Sequence, residues 1–238
     1  MKVALLVPCF VDVLCPNAAI GMVTVLERLG HTVECPESPA CCGQPAFNAG
    51  CWDEARAVTG KVLDHFSDYE AVVVGSGSCA AMIKVFALEL FADDERLAAA
   101  RALAARTWEF SDFLVSRLGI EDVGARFPAR VTVHDGCHGL RELGLKRPIR
   151  ALLARVKDLE LVEMEETETC CGFGGSFSVK FPMISTAMGE AKCGFARATG
   201  AQYIVSNDSS CLLHLRGLLE RQGERLQTLH LAEVLARQ

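Results

Sequence analysis

The sequence has few aromatic residues and no long hydrophobic run. Aromatic side chains make up 7% of its 238 residues. Two charge-free apolar runs, Val13–Leu26 and Ala71–Ile83, are shorter than the ~18–20 apolar residues that a membrane-spanning helix needs, and both contain glycine. The sequence therefore predicts no transmembrane segment.

Runs of basic residues are also missing. Lys and Arg total 24 against 30 Asp and Glu, which gives a formal net charge of −6. Because nucleic-acid binding depends on basic side chains that contact phosphates, we expect no nucleic-acid partner. The 50% hydrophobic content excludes a disordered chain. The length suits one large domain or two of roughly 120 residues.

The amino-terminal segment lacks the pattern of a secretion signal. Lys2 precedes an apolar stretch, but Asp12 interrupts it and no small-residue cleavage site follows cleanly. Residues Val3–Val7 are equally typical of a buried first strand. We therefore expect a cytosolic protein.

Cysteine, in contrast, is abundant, with 12 residues in the chain. This density is too high for ordinary core filling and well below that of a small disulfide scaffold. In a reducing compartment, clustered cysteines bind metal or carry out redox chemistry more often than they form disulfides. The cysteines are therefore the main candidates for function.

Eight of these cysteines form two equivalent sets. Each set reads Cys, then 31 or 32 residues, a Cys-Cys pair, then 36 or 39 residues that begin with Gly, and a final Cys. The segment that begins at Thr107 also resembles the one that begins at Thr228. The pattern indicates a duplication, with repeats at residues 1–126 and 127–238. The first quartet is Cys9, Cys41, Cys42 and Cys79, and the second quartet is Cys137, Cys170, Cys171 and Cys211.

Each half alternates short apolar strands with helical stretches, which predicts an α/β fold. We expect two tandem, pseudo-symmetric βαβ-type repeats, each with a small, mainly parallel sheet flanked by helices. Asp93–Arg106 is expected to form an exposed amphipathic helix that leads to the boundary. The predicted strands are Val3–Val7, Thr32–Cys35, Ala71–Val74, Val131–Val133, Leu159–Glu163 and Tyr203–Ser206. The other predicted helices are Ala18–Leu29, Trp52–Phe66, Pro148–Val156 and Pro182–Thr199.

The strand order predicts where the cysteines meet. Cys9 and Cys137 follow the first strands of their repeats, Cys79 and Cys211 follow the third, and the Cys-Cys pairs follow the second. Because the carboxyl ends of parallel strands share one sheet edge, four thiols should converge in each repeat.

The vicinal pairs favour a metal cluster. A vicinal disulfide is strained, whereas adjacent thiolates can ligate different irons of one cluster. Gly43 and Gly172 free the backbone to turn and let amide groups approach the sulfurs. Structural zinc fits the ligand count less well, because zinc ligands usually come in Cys-x-x-Cys pairs.

The four cysteines without a repeated counterpart have other interpretations. Cys35 and Cys193 are expected to be buried and inert, since free cysteine packs as a small hydrophobe. Cys15 and Cys51 stay open because each lies close in sequence to an expected ligand.

Several other residues could carry chemistry. The glycines around Cys79 imitate a dinucleotide fingerprint, but Ala80 replaces its third glycine, so we expect them to give Cys79 room instead. His134 could act as a base for a hydroxyl proton, although a strand-end residue that hydrogen-bonds the loop is the preferred interpretation. His138, Arg141 and Lys180 could form a cationic lip, with solvated surface charge as the default. His214 and His230 are expected to have structural roles only.

The two Cys-Cys-Gly elements, Cys41–Pro45 and Cys170–Gly175, carry a family resemblance. They resemble the cysteine-rich CCG domains of the heterodisulfide reductase B-subunit superfamily. Within it, the whole chain is similar to the lactate utilization A family, also called glycolate-oxidase-type iron–sulfur subunits, including the segments Gly75–Cys79, Cys170–Lys180 and His230–Leu235. The resemblance implies a protein that carries iron–sulfur clusters and acts with two partner proteins in the oxidation of L-lactate to pyruvate.

The resemblance also implies the ligands, with one departure. Both quartets match the ligand positions of the superfamily, but its full motif ends in Cys-x-x-Cys, and here Ser76 and Asp208 occupy the earlier positions. Four thiolates per repeat favour two ordinary [4Fe–4S] clusters over the noncubane type. The expected role is electron transfer, with other iron–sulfur subunits as partners. A thiol–disulfide reductase subunit and a zinc-stabilised binding protein remain alternatives, and no catalytic residue is assigned.

Overall fold

The computed structural model describes residues 1–36 and 41–238, which contain eight short strands and the helices around them. The strands are β1 (Lys2–Leu6), β2 (Thr32–Glu34), β3 (Val72–Val74), β4 (Thr107–Glu109), β5 (Arg130–Val133), β6 (Glu160–Leu161), β7 (Tyr203–Ser206) and β8 (Gln227–His230). Each expected strand is present, with bounds that differ by no more than two residues.

The helices of the first repeat are α1 (Cys9–Leu14), α2 (Pro16–Arg28), α3 (Gln44–Asn48), α4 (Trp52–His65), α5 (Gly77–Ala81), α6 (Ala87–Leu90), α7 (Leu97–Arg106) and α8 (Phe110–Asp112). Two π-helical turns, Met82–Phe86 and Phe113–Arg117, continue α5 and α8. Those of the second repeat are α9 (Cys137–Leu143), α10 (Lys146–Leu153), α11 (Ser176–Lys180), α12 (Pro182–Ala198), α13 (Ser209–Arg221) and α14 (Leu231–Ala236).

Both repeats contain the same parallel sheet. The strand order is β2-β1-β3-β4 in one and β6-β5-β7-β8 in the other, and every neighbouring pair is parallel. The predicted fold class is therefore confirmed. The fourth strands, β4 and β8, were not expected, because their three or four residues include charged or polar side chains and form no apolar run. In each sheet the strand order reverses between the first and third strands, and ligand sites in parallel α/β sheets form at such a point.

The two repeats pack through a shared hydrophobic core. The core contains Val3 and Leu5 of β1 together with Val131 and Val133 of β5, all fully buried. Helix α2 of the first repeat lies against α14 of the second, and a Cβ at Gly21 would come within 2.7 Å of the Ala232 carbonyl oxygen. Such close packing between the halves means that their positions are fixed relative to each other. The boundary between residues 126 and 127 stays a prediction.

Two features of the helices differ from or extend the expectations. Helix α7 begins at Leu97, and its Ala100 and Leu103 are buried, so the helix expected to be exposed contributes one face to the core. Within the described residues, none of the helices combines the length and the apolar content needed to cross a bilayer.

Candidate metal centres

The loops at the strand ends bring each quartet to the expected sheet edge. Cys9 and Cys137 are the first residues of α1 and α9, directly after β1 and β5. Cys79 and Cys211 are the third residues of α5 and α13, after β3 and β7. These four thiols, two in each repeat, therefore flank the point where the strand order of each sheet reverses.

The thiols within each quartet form a chain of close neighbours. The Cys42 and Cys79 sulfurs are 3.3 Å apart, and Cys41 lies close enough to Cys9 and Cys42 for their thiols to shift its pKa. The second quartet repeats this chain of contacts in the order Cys137, Cys170, Cys171 and Cys211. Cysteines separated by more than thirty residues thus form two compact groups, as the strand order predicts.

Each quartet favours one thiolate even before a metal is considered. Hydrogen bonds from Cys42 and Cys9 lower the pKa of Cys41 to about 2. Bonds from Cys137 and Cys171 lower the pKa of Cys170 to about 2 in the same way. Because a thiolate is the form that binds metal, the first cysteine of each vicinal pair is already in the protonation state of a ligand.

The glycine after each Cys-Cys pair shapes the loop. Gly43 has φ +94° and Gly172 has φ +88°, a left-handed conformation that favours glycine. A Cβ at Gly172 would lie 2.5 Å from the Ser185 carbonyl oxygen, so any larger residue would clash there. In this turn the amides of Gly43 and Gly172 point back to Cys41 and Cys170, with N···S distances of 3.4 Å. Such N–H···S bonds tune the potential of sulfur-bound clusters.

Both quartets border one cavity, which the sequence did not predict. The cavity is lined by all eight repeated cysteines, together with Phe10, Phe173 and His138. The rings of Phe10 and Phe173, one from each repeat, meet edge to face at 5.4 Å. The two groups of thiols therefore open onto a common space between the repeats instead of lying at separate ends of the molecule.

Asp208 connects the second repeat to the first quartet. One of its carboxylate oxygens accepts the Ser78 amide at 2.9 Å, and the other accepts the Ser210 hydroxyl at 2.6 Å. Asp208 is 3% exposed. The carboxylate thus caps the helix that carries Cys79. Asp208 occupies a ligand position of the superfamily motif, but both of its oxygens are engaged in hydrogen bonds.

The glycines near Cys79 also have a packing role between the repeats. A Cβ at Gly77 would lie 3.2 Å from the Cα atom of Gly139, and a Cβ at Gly75 would lie 2.7 Å from the Met22 side chain. Helices α5 and α9 thus approach closely across the repeat interface. These glycines make room for the second repeat and for Met22, and not for the surroundings of Cys79 alone.

His134 is completely buried at the end of β5, and its interpretation as a residue that hydrogen-bonds the loop is wrong. Neither ring nitrogen has a hydrogen-bond partner among the described residues. One ring nitrogen and the sulfurs of Cys171 and Cys211 all lie within 4.8 Å of one another. Burial, together with the nearby Lys192 ammonium, lowers the pKa of His134 to about 4, so the ring is neutral at pH 7.

The four unrepeated cysteines lie away from the cavity. Cys193 is fully buried as expected, and burial raises its pKa to about 11. Cys35 is exposed, so the prediction of a buried residue is wrong, because β2 ends before it and leaves it on the sheet edge. Cys15 is half-buried and Cys51 is exposed.

The other candidate side chains have peripheral or structural positions. The ring nitrogen of His138 lies 3.8 Å from the Cys137 sulfur, at the cavity wall. Arg141 and Lys180 are exposed and do not line the cavity. His214 lies in α13, and His230 caps α14 by accepting the Ala232 amide.

The donor sets fit a thiolate-bound metal centre. Sulfur is the soft ligand that iron–sulfur clusters and zinc select. Each vicinal pair is followed by a left-handed glycine turn whose amide is directed at sulfur. One unpartnered His134 nitrogen lies near the Cys171 and Cys211 sulfurs of the second quartet. Either quartet could hold a compact inorganic centre.

Known relatives share the cysteine-rich character of this chain. The sequence matches the CCG cysteine-rich domain family over residues 3–84 and 131–216. It is 43% identical to Lactate utilization protein A of Geobacillus kaustophilus over 235 residues, 99% of this chain and 98% of the relative. Identity to Lactate utilization protein A 1 of Bacillus cereus is 42% over 236 residues, with the same coverage. A putative Asp/Glu racemase from Yersinia pestis is 13% identical with a TM-score of 0.38, over 99% of this chain and 96% of that one, a likeness too weak to bear on function.

Proposed function

Because this chain belongs to the CCG cysteine-rich domain family, we propose that it is an iron–sulfur electron-transfer subunit of a complex that oxidises L-lactate to pyruvate. The lactate assignment draws on relatives named for lactate utilization that align with 99% of the chain. The other iron–sulfur subunits of the complex are its proposed partners.

The observation that carries the proposal is the pair of thiol quartets on one cavity. Each quartet is the proposed ligand set of one [4Fe–4S] cluster. A bound cluster would supply one-electron redox chemistry. The chain's own contribution is to hold four sulfurs together, direct the amides of Gly43 and Gly172 at them, and limit solvent access by burying Cys42 and Cys171.

The electron count suits two one-electron centres. Oxidation of the lactate C–OH group to a ketone releases two electrons and two protons. Clusters held by the two quartets would supply one-electron acceptors for this pair, and another iron–sulfur subunit of the same complex would be the onward acceptor. Protons go to solvent or to a base on the subunit that binds lactate.

Metal and sulfide analysis of anaerobically purified protein tests the proposal. The expected protein is brown and contains ~8 irons with matching acid-labile sulfide, as two [4Fe–4S] clusters require. Cys42→Ser and Cys171→Ser should each lose about half of the iron, because each removes a ligand of one centre. Cys193→Ala is the matched control, since Cys193 is equally buried but lies outside the cavity. Full iron content in both serine variants would reject the ligand assignment.

Zinc is the second candidate, and one distance favours it. The Cys42 and Cys79 sulfurs are 3.3 Å apart, close to the ~3.7 Å that separates two thiolates on one tetrahedral zinc ion. Zinc-bound protein would be colourless, with two zinc ions and no acid-labile sulfide. The same metal analysis therefore separates the two functions.

A further inference from the structure

The two repeats differ at one position beside the quartets. The spacing of 128 residues that relates Cys9 to Cys137 also relates Leu6 to His134. Leu6 ends β1 and packs among buried hydrophobic residues that include Cys42. His134 directly follows β5 and faces Cys171 and Cys211. The second quartet therefore has a polar neighbour where the first has a hydrocarbon.

His134 has no structural reason to be polar. It is 0% exposed, and neither ring nitrogen bonds a backbone or side-chain group in the described part of the chain. Burying an unpaired polar group is unfavourable, and leucine at this position would avoid that cost, as it does in the first repeat. A buried histidine without partners beside two thiols indicates a partner that the protein atoms do not supply.

The spacing points to a metal as that partner. The histidine nitrogen and both sulfurs lie within 4.8 Å of one another, yet no hydrogen bond joins them. A metal ion binds nitrogen at about 2.0–2.1 Å and sulfur at about 2.3 Å, so one ion can bridge atoms at such separations.

We propose that His134 adds a nitrogen ligand to the metal centre held by the second quartet, so that this centre has five protein ligands, one more than the one-per-iron set of an ordinary [4Fe–4S] cluster, and the two centres of this protein are chemically different. The inference rests on the proposed function only in requiring that iron is bound at the second quartet. The second centre then has mixed sulfur and nitrogen ligation, while the first has sulfur alone.

Pulsed EPR of the reduced, anaerobic holoprotein tests this ligand directly. Protein grown with ¹⁵N-histidine should show a ¹⁵N hyperfine coupling to a reduced cluster in place of the ¹⁴N coupling of unlabelled protein. His134→Leu, which reproduces the first repeat, should lose the coupling while keeping at least half of the iron. His138→Gln should retain it, although His138 is 3.8 Å from the Cys137 sulfur. The measurement on the labelled wild type stands even if a variant fails to fold.

The possible results separate the two proposals. The ligand role of His134 would be overturned if the wild type contained iron but showed no histidine coupling. It would also be overturned if the coupling survived in His134→Leu and was lost in His138→Gln. Either result would leave the proposed function intact. Wild type without iron would overturn both. Leu6→His offers a reciprocal check, since a second histidine coupling there would show that this position is sufficient to create the ligand.

Discussion

Asp208 is predicted to stabilise the first quartet from the second repeat. Its carboxylate accepts the Ser78 amide and the Ser210 hydroxyl, and it is almost completely buried. Hydrogen bonds to an ionised group contribute about 1.5–3 kcal/mol each. Because neighbouring contributions are not additive, Asp208→Ala should lower the free energy of unfolding by about 3 kcal/mol. Asp208→Asn keeps a carbonyl oxygen for the Ser78 amide and should cost about 1 kcal/mol.

Urea unfolding of the reduced apoprotein and iron analysis of the holoprotein together measure this effect. Asp122→Ala is the matched control, because Asp122 also accepts a backbone amide, that of Gly124, but on the surface. We expect that change to cost less than ~0.5 kcal/mol. Iron loss in Asp208→Ala should fall on the first centre, so the double variant with Cys171→Ser should hold almost no iron.

Two results would refute this reasoning. Equal unfolding free energies for Asp208→Ala and Asp122→Ala would show that the cap contributes nothing to stability. Loss of half the iron in Asp208→Asn with unchanged stability would identify the carboxylate as a ligand, contrary to its position in two hydrogen bonds.

Two further predictions concern the backbone and the pH dependence. Gly172→Ala should lower the free energy of unfolding by about 2–4 kcal/mol, because the residue is left-handed and its Cβ would meet Ser185. Gly223 has φ +68° but no atom within 4 Å of a Cβ, so Gly223→Ala should cost only about 1–2 kcal/mol in the same urea titration. Equal losses in the two variants would contradict the steric argument. Burial raises the pKa of Glu109 to about 7. The folded protein therefore holds a proton that the unfolded chain releases, and about 3 kcal/mol of stability present below pH ~4.5 is lost as the pH rises to ~7. Glu109→Gln should remove that loss. The urea unfolding midpoints of the variant and the wild type, measured from pH 4.5 to 8, should therefore diverge only at the upper end of this range. Midpoints that change with pH in parallel would show that Glu109 does not cause the loss of stability.

The thiol quartets could be predicted because repetition and strand order act over long distances in the sequence. Cys9 and Cys79 follow apolar strands whose parallel pairing is a general property of the fold, so their meeting requires no side-chain detail. The same reasoning works for Cys137 and Cys211. The register of β1 with β3 and of β5 with β7 then brings the sulfurs together.

Contacts between the repeats could not be predicted, because they depend on how two surfaces pack. Asp208 bonds Ser78, which is 130 residues away in the other repeat, and nothing in the local sequence of either residue indicates this pairing. The common cavity has the same origin. The sequence wrongly predicts a hydrogen-bonded role for His134, because a histidine next to a strand end usually finds a backbone partner and only the packing shows that its ring has none among the described residues.

The cap that Asp208 provides to the other half has an evolutionary consequence. An ancestor with a single repeat could have built a similar arrangement only as a twofold homodimer, in which each copy lent such a residue to its neighbour. Identical copies would also have carried one residue at the positions now held by Leu6 and His134. Fusion of two copies into one polypeptide ended that constraint, and each half was then free to specialise.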